Sequence, residues 1–90
     1  ENNTTAIAVK GLYPNPAVDK TVIGFTLNQS ANVNISLSSL DGRQIMSLPQ
    51  GTLKAGQHLI DIPMNQLKSG LYLVTIECGK TRQTLRVIKK

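Results

Sequence analysis

Two apolar segments joined by a glycine-initiated turn constrain the fold of this chain more than any other feature. LYLVTIEC (71–78) and TRQTLRVI (81–88) flank Gly79-Lys80, and a two-residue Gly-X loop suits a type II′ turn. With the period of two that strands have, one face of the first segment carries Tyr72, Val74, Ile76 and Cys78. In the second segment, Leu85 and Val87 lie opposite Arg82, Arg86 and Ile88. The sequence therefore predicts an antiparallel hairpin over residues 71–88.

Shorter units of the same kind precede this hairpin. TVIGFTL (21–27) and VNISLSSL (33–40) place apolar side chains at alternate positions, which is typical of half-buried strands. Asp41-Gly42 suits the positive φ of a tight turn, so 33–40 should pair with 43–48. Six or seven short strands, turn signals about every eight to twelve residues and no convincing helix predict an all-β fold. We expect an immunoglobulin-like antiparallel β-sandwich of about seven strands.

Proline and glycine mark the expected connections between these strands. Pro49 should end the strand at 43–48, and QGTLKAGQ (50–57) is predicted to be a loop or a short edge piece. HLIDIP (58–63) then forms another short strand. MNQLKSG (64–70) is too short and too glycine-bounded for a helix, so we expect a connection.

Composition limits the chain to one domain with an aliphatic core. Ninety residues make one domain at most, and the single cysteine, Cys78, excludes an internal disulfide. Only three residues are aromatic, so Val, Ile and Leu must fill the core. No apolar run approaches the roughly 20 residues of a membrane span, and no signal peptide is visible at Glu1. The polar opening ENNTT predicts a linker or tether over residues 1–10 and the folded domain over residues 11–90.

The rigid step YPNPA (13–17) precedes the first clear strand. Proline fixes φ and lacks an N–H, and the residue before each proline is pushed toward an extended geometry. Asn15 can hydrogen-bond to the backbone in a turn. From the residues alone, PNP predicts a stiff corner at a sheet edge or between the two sheets.

The residues indicate no catalytic, metal or cofactor site. His58 has no cysteine near it in sequence, whereas a metal site needs three or four ligands. Cys78 falls on the apolar face of its strand, which favours a buried and inert thiol. It could act with His58 as a nucleophile pair only if the fold joined them. We therefore expect a domain that is not an enzyme and binds no cofactor, although its parent protein could be a secreted enzyme such as a protease.

Positive charge is concentrated in the last eleven residues. The net charge is +5, and residues 80–90 contain no acid but five bases, namely Lys80, Arg82, Arg86, Lys89 and Lys90. This pattern fits either a solvated edge strand that lysine protects from pairing or a docking surface for an anionic partner. Nucleic acid is not expected, because no aromatic side chains that could stack on bases lie between these basic residues.

An ordered set of short motifs resembles a known family. The set comprises YPNPA (13–17), LDGRQI (40–45), GTLKAGQHLIDI (51–62), LKSGLYLVTIECG (67–79) and TLRVIKK (84–90). In this order the motifs are similar to those of the C-terminal sorting domain of the type IX secretion system, type A. The similarity extends from about Leu12 to Lys90, and Cys78 is not part of the pattern.

The resemblance implies a function that composition cannot supply. Such domains direct a cargo protein from the periplasm through an outer-membrane translocon. A sortase at the cell surface then usually removes the domain and attaches the cargo to anionic lipopolysaccharide. The implied partners are the type IX translocon and the sortase machinery. The implied location is the periplasm in transit, then the outer membrane, the cell surface or the medium.

The resemblance also assigns residues to two groups. The structural motif comprises Tyr13, Pro14, Asn15, Pro16, Asp41, Gly42 and Gly56. The residues expected to be recognised by the translocon are Gly70, Tyr72, Gly79, Leu85, Arg86, Val87, Lys89 and Lys90. If the last strand is an edge, its open N–H and C=O groups could accept a partner strand. The same edge would allow strand-mediated pairing of two copies of the isolated domain.

Two other functions fit a small β-sandwich. An adhesive or carbohydrate-binding module of a surface protein would present exposed aromatic side chains to sugar rings, and this chain has only three. A passive spacer between domains would need no particular residues in its last strand. The sorting domain is the leading hypothesis, and the adhesive or carbohydrate-binding module is the alternative to it.

Overall fold

The computed structural model describes residues 7–90, which form seven strands in two sheets. The strands are β1 (Ile7–Tyr13), β2 (Lys20–Leu27), β3 (Ala31–Ser39), β4 (Gln44–Leu53), β5 (Gly56–Pro63), β6 (Gly70–Cys78) and β7 (Thr81–Lys89). One sheet has the order β1-β2-β5 and the other β4-β3-β6-β7, and all neighbouring strands are antiparallel. Three strands therefore face four, which confirms the predicted immunoglobulin-like sandwich.

The core lies between the two sheets and follows the alternation in the sequence. In β3, Val33, Ile35 and Leu37 are fully buried while the residues between them are partly exposed. The facing sheet contributes Ile23, Phe25 and Ile62, all of which are 1% exposed or less. Each such side chain stabilises the fold by about 1.5–3 kcal/mol relative to an exposed position.

Both predicted hairpins are present. In the β3–β4 turn, the N–H of Gly42 donates to the carbonyl of Ser39 at 3.0 Å, and Gly42 has a φ of +90°. This is a type I turn followed by a glycine in the left-handed region, a common three-residue hairpin loop. In the β6–β7 turn, Gly79 has a φ of +61° and Lys80 has a negative φ, as a type II′ turn requires.

Two segments differ from the sequence-based expectation. The strand expected to end at Pro49 continues to Leu53, with a bulge where Val33 pairs with Gly51 and Asn34 with Pro49. Proline is tolerated here because β4 is an edge strand, so no neighbouring strand requires the missing N–H. Residues 7–10, assigned to a linker, form the first half of β1 and pair with β2. Residues 1–6 of that linker lie outside the described residues.

The connection between β5 and β6 contains no helix and helps to close the core. Met64 is fully buried, and its N–H donates to the carbonyl of Asp19 at 2.8 Å. Leu67 packs against the core from the same connection. Within residues 7–90, no helix has the length and apolar character needed to cross a membrane.

The edges formed by β1 and β7 meet along one side of the sandwich. The side-chain amide of Gln83 donates to the carbonyl of Ile7 at 3.3 Å across this side. The chain that leaves β1 after Tyr13 can therefore reach β7 within a few residues.

Candidate recognition site

Residues 14–17, which we name the PNPA segment, cross from the edge of one sheet to the edge of the other. They leave β1 and lie along the outer edge of β7, where Ala17 forms a parallel bridge with Lys89. The N–H of Ala17 donates to the carbonyl of Ile88 at 2.7 Å, and the N–H of Lys90 donates to the carbonyl of Ala17 at 2.8 Å. Both X–Pro peptide bonds in this segment are cis. The rigid corner predicted from PNP is thus a link between the two sheets.

Asn15 extends this pairing with its side chain. Its Nδ2 donates to the carbonyl oxygen of Arg86 at 3.1 Å, and its Oδ1 accepts from the N–H of Ile88 at 2.9 Å. The amide therefore bonds to β7 as the peptide group of a neighbouring strand would, because it carries one donor and one acceptor in a plane. A proline-flanked backbone has few N–H groups, so the asparagine side chain supplies the missing donor.

Two buried residues hold this segment from the core side. Thr21 is fully buried in β2, and its hydroxyl donates to the carbonyl of Pro14 at 2.9 Å. Ala17 is also fully buried, and a larger side chain there would disturb the core. Sequence reasoning missed the role of Thr21. The sequence feature that could have indicated this role is a hydroxyl side chain on the apolar face that contains Ile23, Phe25 and Leu27.

The outer edge of β7 is therefore only partly open. β7 is the edge of its sheet, but Asn15 and Ala17 already bond to Arg86, Ile88 and Lys90 on this side. Because outward backbone groups recur at every second residue, Arg82 and Thr84 point the same way. Within residues 7–90, β6 is the only strand that pairs with Arg82 and Thr84, and no other backbone group hydrogen-bonds to their outward N–H and C=O groups. A partner strand could add there, whereas adding farther along β7 would displace the PNPA segment.

The two faces of β7 have different environments. Val87 is fully buried and Leu85 packs against the core, so both face the interior. Arg86 and Ile88 face outward, and Ile88 is 48% exposed. In the folded domain a partner can therefore touch Arg86 directly, whereas Val87 can act only through the packing that positions the strand.

The predicted residues of β6 lie beside this strand. Gly70 is paired with Lys89 and Tyr72 with Val87. The phenol of Tyr72 donates to the carbonyl of Lys68 at 2.6 Å, which fixes the connection that enters β6. The structure thus brings the YPNPA motif, the start of β6 and the end of β7 into one region.

Four other predicted residues occupy turns or strand ends. Gly79 lies in the turn before β7, at the opposite end from Lys89. Gly56 begins β5 and pairs with Leu27 of β2, in the sheet that does not contain β7. Asp41 and Gly42 form the β3–β4 turn. The pKa of Asp41 is lowered below its ordinary value by two hydrogen bonds that its carboxylate accepts. The bond from the Ser39 hydroxyl has the larger effect, and the bond from the backbone N–H of Arg43 comes second. Within the part of the chain that the structure describes, none of these four residues forms a hydrogen bond with the PNPA segment.

The basic residues near the end of β7 are less neutralised than Arg82 near its start. Arg82 lies opposite Glu77 and forms an ion pair with it at 3.7 Å. Among the described residues, the other ion pairs are Lys20 with Asp61 and Arg43 with Asp41, so Arg86, Lys89 and Lys90 take part in none. The field of these bases extends into solvent and favours an anionic partner.

The candidate groups for other chemistry each have partners or surroundings of their own. Cys78 is buried, and the desolvation that accompanies burial raises the pKa of its thiol. His58 instead packs against Phe25 at 5.5 Å between ring centroids, and its Nε2 lies 2.7 Å from the carbonyl of Lys54. Across residues 7–90, no cluster of three or more His, Cys, Asp or Glu side chains could hold a metal ion.

Similarity to known proteins spans most of this chain. Residues 11–90 match the family model described as "Secretion system C-terminal sorting domain". No curated protein is detectably similar to the chain in sequence. One solved structure, titled "Crystal structure of the C-terminal domain of wzt", is similar with a TM-score of 0.49 and 17% identity. That similarity covers 98% of this chain and 68% of the other.

Proposed function

The chain belongs to the family of secretion-system C-terminal sorting domains, and we propose that it carries an attached cargo protein from the periplasm through the type IX translocon of the outer membrane. The domain is a sorting signal of that secretion system and not a catalyst. On this proposal the cargo reaches the cell surface or the medium. The parent protein, which could itself be an enzyme, supplies whatever activity is exported.

One observation supports recognition of the folded domain. The motif at residues 13–17 and the motif at residues 84–90 lie about seventy residues apart in sequence, yet they share four hydrogen bonds through Asn15 and Ala17. A signal read as an unfolded peptide would need no such link. A signal read as a shaped surface would need one, because the link holds the end of β7 in a single position.

Removal of the domain after transport is the next step of the proposal. We expect a sortase at the cell surface to cut within or just before residues 1–10 and to attach the cargo to anionic lipopolysaccharide. A cut before Ile7 would leave all seven strands intact, whereas a cut within residues 7–10 would remove part of β1.

The experiment is a reporter fusion in a bacterium with a type IX system. A periplasm-targeted fluorescent protein is followed by residues 1–90 and expressed in the intact strain and in a strain without the translocon. Surface accessibility to protease and the mass of the reporter are measured in both. Surface exposure in the intact strain alone is the expected result, and a change in reporter mass would report cleavage and attachment.

Deletion of residues 85–90 provides the internal control. We expect this fusion to remain in the periplasm, since the deletion removes the part of β7 that Asn15 and Ala17 bind. Normal export of the shortened fusion would show that the last strand is not the signal. Retention of both fusions in both strains would contradict the sorting function and favour the adhesive or carbohydrate-binding alternative.

Strand-mediated pairing of two isolated domains stays a prediction. The outward backbone groups of Arg82 and Thr84 are the part of β7 that such pairing would use. Sedimentation of the purified domain over a range of concentrations would detect it.

A further inference from the structure

The outer face of the β6–β7 hairpin carries apolar side chains that the core does not use. Leu71 is paired with Ile88, and Leu73 with Arg86. Since Tyr72, Val74 and Val87 face inward, these four residues face outward. We name Leu71, Leu73, Arg86 and Ile88 the outer patch. Ile88 is 48% exposed and the two leucines are half-buried, so the patch is apolar with one cation inside it.

The charge of this patch is not neutralised by the residues beside it. Arg82 and Arg86 lie on the same strand and face, but Arg82 is opposite Glu77 whereas Arg86 is opposite Leu73. Of these two arginines, only Arg82 has an ion-pair partner among the described residues. An unpaired guanidinium beside aliphatic side chains is well suited to bind a carboxylate through two parallel hydrogen bonds.

We propose that the outer patch docks a protein surface on which carboxylates surround a shallow apolar centre. The inference rests on the proposed sorting function and specifies the chemistry of the partner in the transport machinery. Arg86 binds a carboxylate of the partner, and Ile88 with the two leucines packs against its apolar centre. Arginine is one of the residues that most often dominate the binding energy of protein interfaces, so Arg86 is expected to contribute most.

The shape of the patch favours a protein over a lipid surface. Leu71 and Leu73 are half-buried in the pleated sheet, and Leu73 is flanked on β3 by the polar residue Ser38. The two leucines therefore expose only part of their apolar surface, whereas binding to a bilayer strengthens with the apolar area that is buried in the acyl region. Partly exposed apolar side chains beside a charged one instead suit the surface of a folded protein, where a polar rim surrounds an apolar centre.

The PNPA segment holds the backbone that carries this patch. Asn15 bonds to the carbonyl of Arg86 and to the N–H of Ile88, the two β7 members of the patch. The contacts at the edge of β7 thereby fix the spacing between the cation and the apolar group on its outer face. Such preorganisation lowers the entropic cost of binding.

The experiment uses the reporter fusion with two matched pairs of variants. Arg86→Gln and Arg82→Gln each remove one positive charge from the outer face of β7, but only the first belongs to the patch. Ile88→Thr and Val18→Thr each replace an exposed β-branched residue, and Val18, which is 55% exposed, lies outside the patch. We expect Arg86→Gln and Ile88→Thr to reduce export by more than about tenfold. Arg82→Gln and Val18→Thr should stay within about twofold of the unaltered fusion.

Two further measurements separate binding from folding and from lipid attachment. The thermal midpoint of each purified variant is compared with that of the unaltered domain. If Arg86→Gln has lost its fold, it is replaced by Arg86→Lys, which keeps the charge without the two-pronged geometry. An excess of free periplasmic domain should inhibit export of the reporter, and Arg86→Gln should abolish that competition. The purified domain is also sedimented with phosphatidylglycerol vesicles. If binding to the vesicles depends on Arg86 and Ile88 but inhibition in the competition assay does not, the partner of the outer patch is a lipid and not a protein.

The failure of this inference is distinct from failure of the sorting function. If the unaltered fusion is not exported, the sorting function itself is wrong. If it is exported and the folded Arg86→Gln and Ile88→Thr variants are exported equally well, the outer patch is not the docking surface.

Discussion

Replacing Asn15 with alanine removes both hydrogen bonds that the side chain makes to β7. A hydrogen bond contributes about 0.5–1.5 kcal/mol net to stability. Both contacts lie at an exposed position, so water can replace the lost partners and no large desolvation penalty is left. We therefore expect Asn15→Ala to lower the free energy of unfolding by about 1–2 kcal/mol. For a domain of this size that corresponds to a decrease in Tm of roughly 5–15 °C.

Amide hydrogen exchange tests the same prediction at individual residues. The N–H of Ile88 donates to Asn15 Oδ1, whereas the N–H of Lys90 donates to the carbonyl of Ala17. In Asn15→Ala the Ile88 amide loses its acceptor directly, so its exchange should accelerate more than that of Lys90. Urea denaturation and exchange measured by NMR on the purified domain would supply both quantities.

The matched control is Asn65→Ala, at an exposed asparagine in the connection between β5 and β6. It should change the free energy of unfolding by less than about 0.5 kcal/mol, as surface substitutions usually do. If Asn15→Ala is no more destabilising than this control and the Ile88 amide exchanges at its original rate, the amide does not hold the PNPA segment on β7.

Three further predictions concern the core, the β3–β4 turn and the thiol. Ile35→Ala, at a fully buried position, should lower the free energy of unfolding by about 2–5 kcal/mol, measured by urea denaturation. Ile45→Ala is the control, because Ile45 is 37% exposed, and an equally small effect of both substitutions would contradict the burial of Ile35. Because its folded-state pKa is lowered, Asp41 stabilises the fold above its ordinary pKa of 3.8, and this contribution is lost as the pH falls through the lower folded value. The difference in stability between the natural domain and Asp41→Ala should thus be constant near pH 7 and shrink below about pH 4; a constant difference down to pH 2 would contradict it. Cys78 should react with iodoacetamide only after denaturation, and rapid labelling of the native domain, followed by mass spectrometry, would show that the thiol is accessible.

Local patterns in the sequence were sufficient to predict most of the strands. The alternation in β3 and the turn signals at Asp41-Gly42 and Gly79-Lys80 act over a few residues, and the structure has strands and turns at those places. Pro49 misled the prediction because its effect depends on whether a neighbouring strand needs its N–H. That depends on β4 being an edge strand, which is a property of the sheet and not of the segment.

The sequence by itself determined the β-sandwich, the aliphatic core and the concentration of bases in residues 80–90, because these depend on side-chain type and spacing. Only the tertiary structure decided that PNPA binds the edge of β7 and leaves Arg82 and Thr84 as its open part. It also decided that Arg86 lacks the carboxylate that Arg82 has, since cross-strand pairing places Leu73 opposite one and Glu77 opposite the other. The physical reason is the same in both cases. Contacts between residues distant in sequence depend on strand register and sheet order, which no single segment encodes.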